Sequence, residues 1–275
     1  ELRTVADAAF NDWKRANPDK KLGDDKFYMT AEVYNYDIAH GQNFDLGGQT
    51  ANYYQNGFDS LINFGLVRDA TKAYESLFSS YSKSLHGGAL EGYSVLNYID
   101  SHDYDQPFDR ERKKPFESAN KLLLAPGAAQ IYYGDETARK LDIANATGDA
   151  KLRSFMNWDE LENNAARDGY EVADVRAHWS KVGLFRQAHV SVGAGVHQQL
   201  QAKPYVFKRT YDKGGLRDKV VVALDLPTDK ASTIELHGVF ANGQKVKDYY
   251  SGKTAVVKGG KVNFGTRNAI VLIGQ

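Results

Sequence analysis

Two carboxylates and a histidine are the residues of this sequence best placed to do chemistry. Glu32 stands near the end of Phe27-Tyr28-Met29-Thr30-Ala31-Glu32-Val33, and Asp103 closes Asn97-Tyr98-Ile99-Asp100-Ser101-His102-Asp103, with His102 beside it. Each follows a largely apolar or aromatic run and precedes a polar loop, as a residue does where a buried strand emerges. In a parallel sheet all C-terminal strand ends share one edge, and in barrel and doubly wound folds that edge carries the chemistry. Two carboxylates there match what glycosidic cleavage needs. One, protonated, serves the leaving oxygen; ionised carboxylates stabilise an oxocarbenium-like transition state. Tyr34, Tyr36, Tyr53, Tyr54 and Tyr104 offer aromatic surfaces for sugar rings. On spacing alone, strand-end carboxylates equally cap helices or pair with arginine, so both readings stand at this point. Ser101-His102-Asp103 is not a serine triad, because neighbours on a strand point to opposite faces.

The elements that must position these residues recur. Apolar runs at 27–33, 58–64, 93–100 and 129–133 read as strands, and their starts lie 31, 35 and 36 residues apart. A strand plus crossover helix takes about 30 residues or more, so this is a βα repeat with parallel strands. The run 93–100 reads as a strand buried on both faces. Helical periodicity marks 66–85 (Leu66, Ala70, Ala73, Tyr74, Leu77, Tyr81), a stretch through Phe116, Ala119, Leu122 and Leu123, and 175–188 (Val175, Trp179, Val182, Phe185). Before the first strand, Leu2, Val5, Ala6, Ala9 and Trp13 form a helical stripe that Asn17-Pro18 ends. Segment 34–57, rich in Gly, Asn, Gln and Tyr, is long for a loop, and such loops are functional or disordered. Four βα units are half of a barrel, which takes about 250 residues, or a small four-stranded α/β domain.

The pattern changes near Gly193–Gly195. Beyond it, short runs at 205–210, 219–226, 233–237, 245–250, 254–258, 261–264 and 269–273 alternate with turn signals such as Gly214-Gly215, Asn242-Gly243 and Gly259-Gly260. That punctuation predicts an antiparallel sheet or sandwich. The chain thus divides into an α/β part, 1–193, and an all-β part, 194–275.

Composition narrows the function. Lys+Arg and Asp+Glu are both 35 in 275 residues, leaving no basic field for nucleic acid or an anionic membrane. No apolar run is long enough to cross a bilayer. The absence of cysteine removes thiol catalysis, disulfides and cysteine metal sites. His40, His86, His178, His189, His197 and His237 lack metal-ligand spacing. Asp109 to Lys114 reads as a solvated loop, and Asp135 and Glu136 follow a strand where catalytic carboxylates can stand.

These motifs resemble the alpha-amylase family of glycoside hydrolases, which are retaining barrel enzymes. Met29-Thr30-Ala31-Glu32-Val33-Tyr34 is similar to the family's fifth-strand motif, and Asn97 to Asp103 to its seventh. Ala125-Pro126-Gly127-Ala128-Ala129-Gln130-Ile131-Tyr132-Tyr133-Gly134-Asp135-Glu136 resembles the eighth strand and its loop. Arg153 and Met156-Asn157-Trp158 resemble the segment after it, and Leu184-Phe185-Arg186-Gln187-Ala188-His189 the last barrel helix. The resemblance implies the later half of a (β/α)8 TIM barrel followed by a β-sandwich. It implies that Glu32 is the general acid/base, Asp103 the third essential carboxylate, and His102 a sugar ligand, with Tyr34 beside the substrate. The substrate would be an α-1,4-glucan such as starch or a maltodextrin. The likeness is greatest to periplasmic members from Gram-negative bacteria, which implies a periplasmic or secreted location.

Two departures qualify the resemblance. Ser101 stands where the family usually has Asn before the His-Asp pair. The family's nucleophile, an Asp in a Gly-x-Arg-x-Asp motif on the fourth strand, would lie before Glu1; Gly215-Leu216-Arg217-Asp218 sits in the β tail and lacks the spacing. The expectation is therefore a chain that carries the acid without the nucleophile, inactive alone, and paired with a missing N-terminal half or a second copy. No cofactor is expected in this chain, and the intact enzyme is expected to hold calcium on ligands that lie upstream. A glucan-binding or partner-binding piece without turnover, and a transglycosylase, are the alternative functions.

Overall fold

The structure is a computed structural model that describes residues 1–21, 23–103, 106–167 and 169–275. Helix α1 (Leu2–Ala16) ends where the Asn17 amide and side chain both bond the Trp13 carbonyl at 2.9 Å. Its Leu2, Val5 and Trp13 are exposed, so the apolar stripe has no cover among the described residues. Strand β1 (Thr30–Ala31) follows. Segment 34–57 is folded, with a 3-10 turn at Ile38–His40 capped by Asp37 and a hairpin of β2 (Asn43–Asp45) and β3 (Thr50–Asn52). Then come β4 (Ser60–Asn63), α2 (Gly65–Asp69), α3 (Tyr74–Leu85), β5 (Ser94–Asn97), α4 (Pro115–Leu123) and β6 (Ala128–Ala129). The segment after β6 holds α5 (Trp158–Glu162) and the hairpin β7 (Ala166–Arg167) with β8 (Tyr170–Glu171). Helices α6 (Val172–Ala188) and α7 (Val190–Ala194) close this part.

Strands β1, β4, β5 and β6 pair in that order, all parallel, with Thr30 opposite Ser60, Asn63 opposite Asn97 and Leu96 opposite Ala128. All four strands are shorter than their sequence patterns, β1 and β6 most of all, and beside these two, side chains from outside the sheet take backbone groups. Asp59 accepts from the Met29 amide at 2.9 Å, and the Tyr133 carbonyl accepts from Arg139 Nε at 2.9 Å. The helix read over 66–85 is broken between Asp69 and Tyr74, where the Thr71 hydroxyl and amide both turn back to the Arg68 carbonyl.

Burial along the strands corrects the expectation of cover on both faces. In β5, Val95 and Asn97 are buried while Ser94 and Leu96 are half-buried; in β4, Leu61 and Asn63 are buried and Ile62 is not. The buried side packs on Leu66, Leu77, Phe78, Tyr81 and Leu122. The two buried amides satisfy one another: Asn63 Nδ2 donates to Asn97 Oδ1 at 2.8 Å and to Tyr81 at 3.0 Å, and Asn97 Nδ2 donates to the Pro126 carbonyl at 2.8 Å. Paired in this way they cost little and fix the register of β4 on β5.

The remainder is antiparallel: β9 (Val196–Gln201), β10 (Tyr205–Lys213), β11 (Leu216–Leu224), β12 (Ile234–Glu235), β13 (Lys245–Asp248), β14 (Thr254–Val256), β15 (Lys261–Val262) and β16 (Val271–Gly274). Six of them form a sheet in the order β14-β13-β16-β11-β10-β9, and β12 pairs with β15. Every run read as a strand beyond Gly195 is one. Strand β9 was not anticipated, because its polar sequence Val-His-Gln-Gln-Leu-Gln suits an edge. Phe207, Val220, Val222 and Leu272 pack on the helices, with Phe78 and Phe185. The alternate residues Val206, Val221, Ala223 and Ile273 pack on Ile234, Leu236, Phe240 and Phe264. Cover on both faces explains the unbroken apolar run 220–224 in β11. The architecture is a partial (β/α)8 barrel followed by an antiparallel β-sandwich.

Phe207 is buried between Phe78 and Tyr205 at the contact of helix and sheet. Its replacement by Ala is expected to cost about 3–5 kcal/mol of unfolding free energy. Phe155, 97% exposed, is expected to lose under about 0.5 kcal/mol on the same change. Urea denaturation of the two variants measures the contrast.

Candidate functional site at the strand ends

The parallel register puts the loops after β1, β4, β5 and β6 on one edge of the sheet. Glu32 follows β1 directly and is exposed. Tyr34, 72% exposed, turns its ring onto Phe64 at 5.7 Å, and Phe64 meets Tyr98 at 5.6 Å, both edge to face. This aromatic row crosses the ends of β1, β4 and β5. Beyond β5, His102 Nε2 lies 3.6 Å from Asp103 Oδ2, with the two side chains 62% and 41% exposed. The Ser101 hydroxyl donates to Asp103 Oδ1 at 3.0 Å, the Asp103 amide donates to Ser101 Oγ at 3.4 Å, and Arg153 Nε donates to the His102 carbonyl at 2.9 Å. Glu32, Tyr34, His102 and Asp103 therefore stand on one open edge. His102 and Asp103 are in contact; among the described residues no hydrogen bond or ion pair joins Glu32 to them. Of the other tyrosines read as sugar surfaces, Tyr36 and Tyr54 are buried and bond each other through their hydroxyls at 3.1 Å, and Tyr53 is half-buried against the core. Tyr104 lies outside the described residues.

Beneath the edge lies a cluster that sequence reasoning missed. Asp100 and Asp135 are buried, and Arg112 Nη2 reaches both, at 3.1 and 2.9 Å. The segment read as a solvated loop is thus corrected: Asp109 and Arg112 are buried, and Asp109 accepts from the Lys113 and Lys114 amides at 2.8 Å each. In sequence Arg112 is one charge among several, and nothing marks it as the one that turns inward. Burial first, and then the negative charge of Asp135, push the Asp100 carboxyl up to about 8, against the pull of Arg112.

The remaining polar residues hold the fold. Asp218 accepts from His189 Nδ1 and the Ser191 amide at 2.9 Å each, tying α7 to β11. His178 bonds Tyr250 through Nδ1 and the Phe116 carbonyl through Nε2, and burial pulls it down to about 4. Among the described residues no three His, Asp or Glu side chains converge as metal ligands, and no helix is long and apolar enough to cross a membrane.

The chain is 37% identical over 224 residues to the periplasmic alpha-amylase of Escherichia coli strain K12, which covers 81% of this chain and 29% of that protein. Its fold is similar to an Anoxybacillus alpha-amylase (TM-score 0.55, 20% identity, 99% of this chain, 56% of that one). It is also similar to the alpha-amylase of Geobacillus thermoleovorans complexed with acarbose (TM-score 0.59, 15% identity, 98% and 57%). No protein-family profile matches. The chain is thus similar to alpha-amylases in sequence and fold, and it spans under a third of the length of that sequence relative.

The Asp100 carboxyl sets a testable pH dependence. Its folded value of about 8 lies above the roughly 3.9 of an unfolded aspartate. The folded chain therefore binds more protons between the two values, and stability falls as pH rises from about 4 to about 8. Asp100→Asn is expected to flatten that fall, read as urea-unfolding free energies at pH 5 and pH 8.

Proposed function

We propose that the chain is the later part of a retaining glycoside hydrolase that acts on α-1,4-glucans, with 1–193 as its share of the catalytic barrel and 194–275 as the companion all-β domain. The supporting observation is that Glu32, directly beyond β1, and the His102–Asp103 pair, in the loop after β5, stand on one edge of a parallel sheet. Glu32 protonates the leaving oxygen and then deprotonates the incoming water. Asp103 stabilises positive charge that develops at the sugar, His102 hydrogen-bonds the same sugar, and Tyr34 offers its exposed ring to the substrate. The likeness to a periplasmic amylase and to an amylase that holds acarbose supports the substrate class and an extracytoplasmic location.

Retention needs a nucleophile about 5–5.5 Å from the acid, across the sugar. Glu32 cannot serve as both, and Asp103 has the third role. On the family resemblance, the nucleophile and any calcium ligands come from chain outside the 275 residues, and that chain, or a second copy of this one, also covers the half-open face of β4 and β5. The 275-residue chain alone is inactive. Size-exclusion chromatography with light scattering, beside a reducing-sugar assay on soluble starch, tests this. A stable 30.6 kDa monomer that releases sugar at an amylase-like rate would refute it.

In the protein made from its complete reading frame, Glu32→Gln is expected to abolish hydrolysis while sparing oligosaccharide binding. Asp103→Asn is expected to act on kcat, because its charge is needed in the transition state; His102→Ala is expected to show more in KM. Wild-type-like turnover by Glu32→Gln would remove the acid assignment.

A further inference from the structure

We propose that Arg112 is a positioning residue: it locks the loop after β5, which carries His102 and Asp103, to the loop after β6, and so sets the place of the candidate charge-stabilising carboxylate. This deepens the glycosidase reading above and rests on it. Arg112 enters from the loop before α4 and is the cation shared by Asp100, three residues before Asp103, and Asp135, at the start of the turn after Tyr133 and Gly134. Its Nε donates to the Arg139 carbonyl at 2.7 Å, and its own carbonyl accepts from the Tyr170 hydroxyl at 2.8 Å. Three anchors hold the guanidinium and a fourth holds its backbone, on three segments in all, and together they leave it one position.

Two observations argue against a merely stabilising role. Arg112 has φ +55°, a left-handed conformation that costs a non-glycine residue energy and persists where the surroundings impose it. One cation also faces two buried carboxyl groups. Buried ion groups of this kind are poor sources of stability compared with apolar packing. What such a cluster supplies is a unique geometry, because each buried polar group is tolerated only where its partner holds it. The loop after β6 is in turn tied toward His102: the Tyr133 hydroxyl donates to the Ser154 carbonyl at 2.8 Å, and the neighbouring Arg153 donates to the His102 carbonyl. Arg112 thus closes a ring of contacts that runs Asp100, Arg112, Asp135, Tyr133, Ser154, Arg153 and back to His102.

The test uses Arg112→Lys and Asp135→Asn. Lysine keeps the charge but cannot reach both carboxylates and the Arg139 carbonyl together; asparagine removes the second carboxylate at nearly constant shape. Hydrogen exchange in the 275-residue chain is read over 99–103 and 131–136. The expected result is that both loops exchange faster together in Arg112→Lys, at an unfolding midpoint close to the parent's. In the protein from the complete reading frame, kcat is expected to fall roughly 10- to 100-fold with KM within about threefold, as displacement of a positioned group by about 1 Å produces. Asp135→Asn keeps the Arg112–Asp100 contact and is expected to loosen 131–136 alone, with a smaller loss of kcat. Faster exchange confined to 108–114, or unchanged kcat in Arg112→Lys, would overturn the proposal. Coupled loosening together with hydrolysis surviving in Glu32→Gln would leave the loop coupling standing and remove the glycosidase reading instead.

Discussion

A parallel sheet made by helical crossovers has to bury both faces, and in this chain β4 and β5 are closed on one face only. Much of the remaining structure answers to that constraint. On the helix side Leu61 and Val95 are fully buried, and even the polar residues there, Asn63 and Asn97, sit out of solvent. On the other side Ile62, Leu96 and Ser94 keep partial access to water. The alternation is that of a sheet with one finished layer. Helix α1 repeats the point on a smaller scale, with a helical apolar stripe and no buried residue.

The antiparallel part solves the same problem locally. Its central strands β10 and β11 are covered by the barrel helices on one side and by β12, β15 and their flanking loops on the other. A joint between two layers needs polar partners as well as apolar ones. Arg209 is wholly buried, stacked 5.0 Å from both the Phe78 and Phe207 rings, and donates to the Val192 carbonyl. Glu75 on α3 accepts from the Tyr205 hydroxyl at 2.9 Å and contacts His197 Nε2 at 3.0 Å. Helix α3, strand β9 and strand β10 are thereby held in one arrangement, and α3 in turn backs the buried face of the parallel sheet. The sandwich is thus a buttress for the crossover helices.

How much of this was legible follows from what periodicity encodes. The βα spacing, the breaks at Pro18 and at Pro126-Gly127, and the turn glycines of the tail report local geometry, and each corresponds to an element found. The placement of Glu32 and Asp103 at the strand ends was legible because a polar residue that follows an apolar run has few places to be. Strand length was not legible: Phe27 and Tyr133 continue an apolar pattern but give their carbonyls to Arg3 and Arg139, which lie far off in sequence or across a turn. The burial of Tyr36 and Tyr54 was hidden for the same reason, since a tyrosine-rich loop reads alike whether its rings face a ligand or each other. Arg112 was the least legible. A charged residue inside a charged loop turns inward only because Asp100 and Asp135, distant in sequence, have already been buried by the strand ends.

On the proposed reading, completing the fold and completing the site are the same event. The strand ends present two carboxylates, proposed as the acid and the charge-stabilising group, and an exposed aromatic ring on an edge that stays open to water. Electrostatic stabilisation of a developing cation is weak in such a setting, because bulk water screens it, and becomes strong once the cleft is closed. A segment that covers Ile62 and Leu96 must bring further strands alongside β1 or β6, and parallel strands added there end on the same edge as Glu32. The added layer would therefore bury the open face, narrow the cleft and carry a carboxylate to the far side of the sugar, all through the one geometric rule that parallel strands finish together. That rule also explains why so much buried charge underlies the β5 and β6 loops. If the site is assembled from two bodies of chain, as proposed, it works only when each body holds its own residues in place.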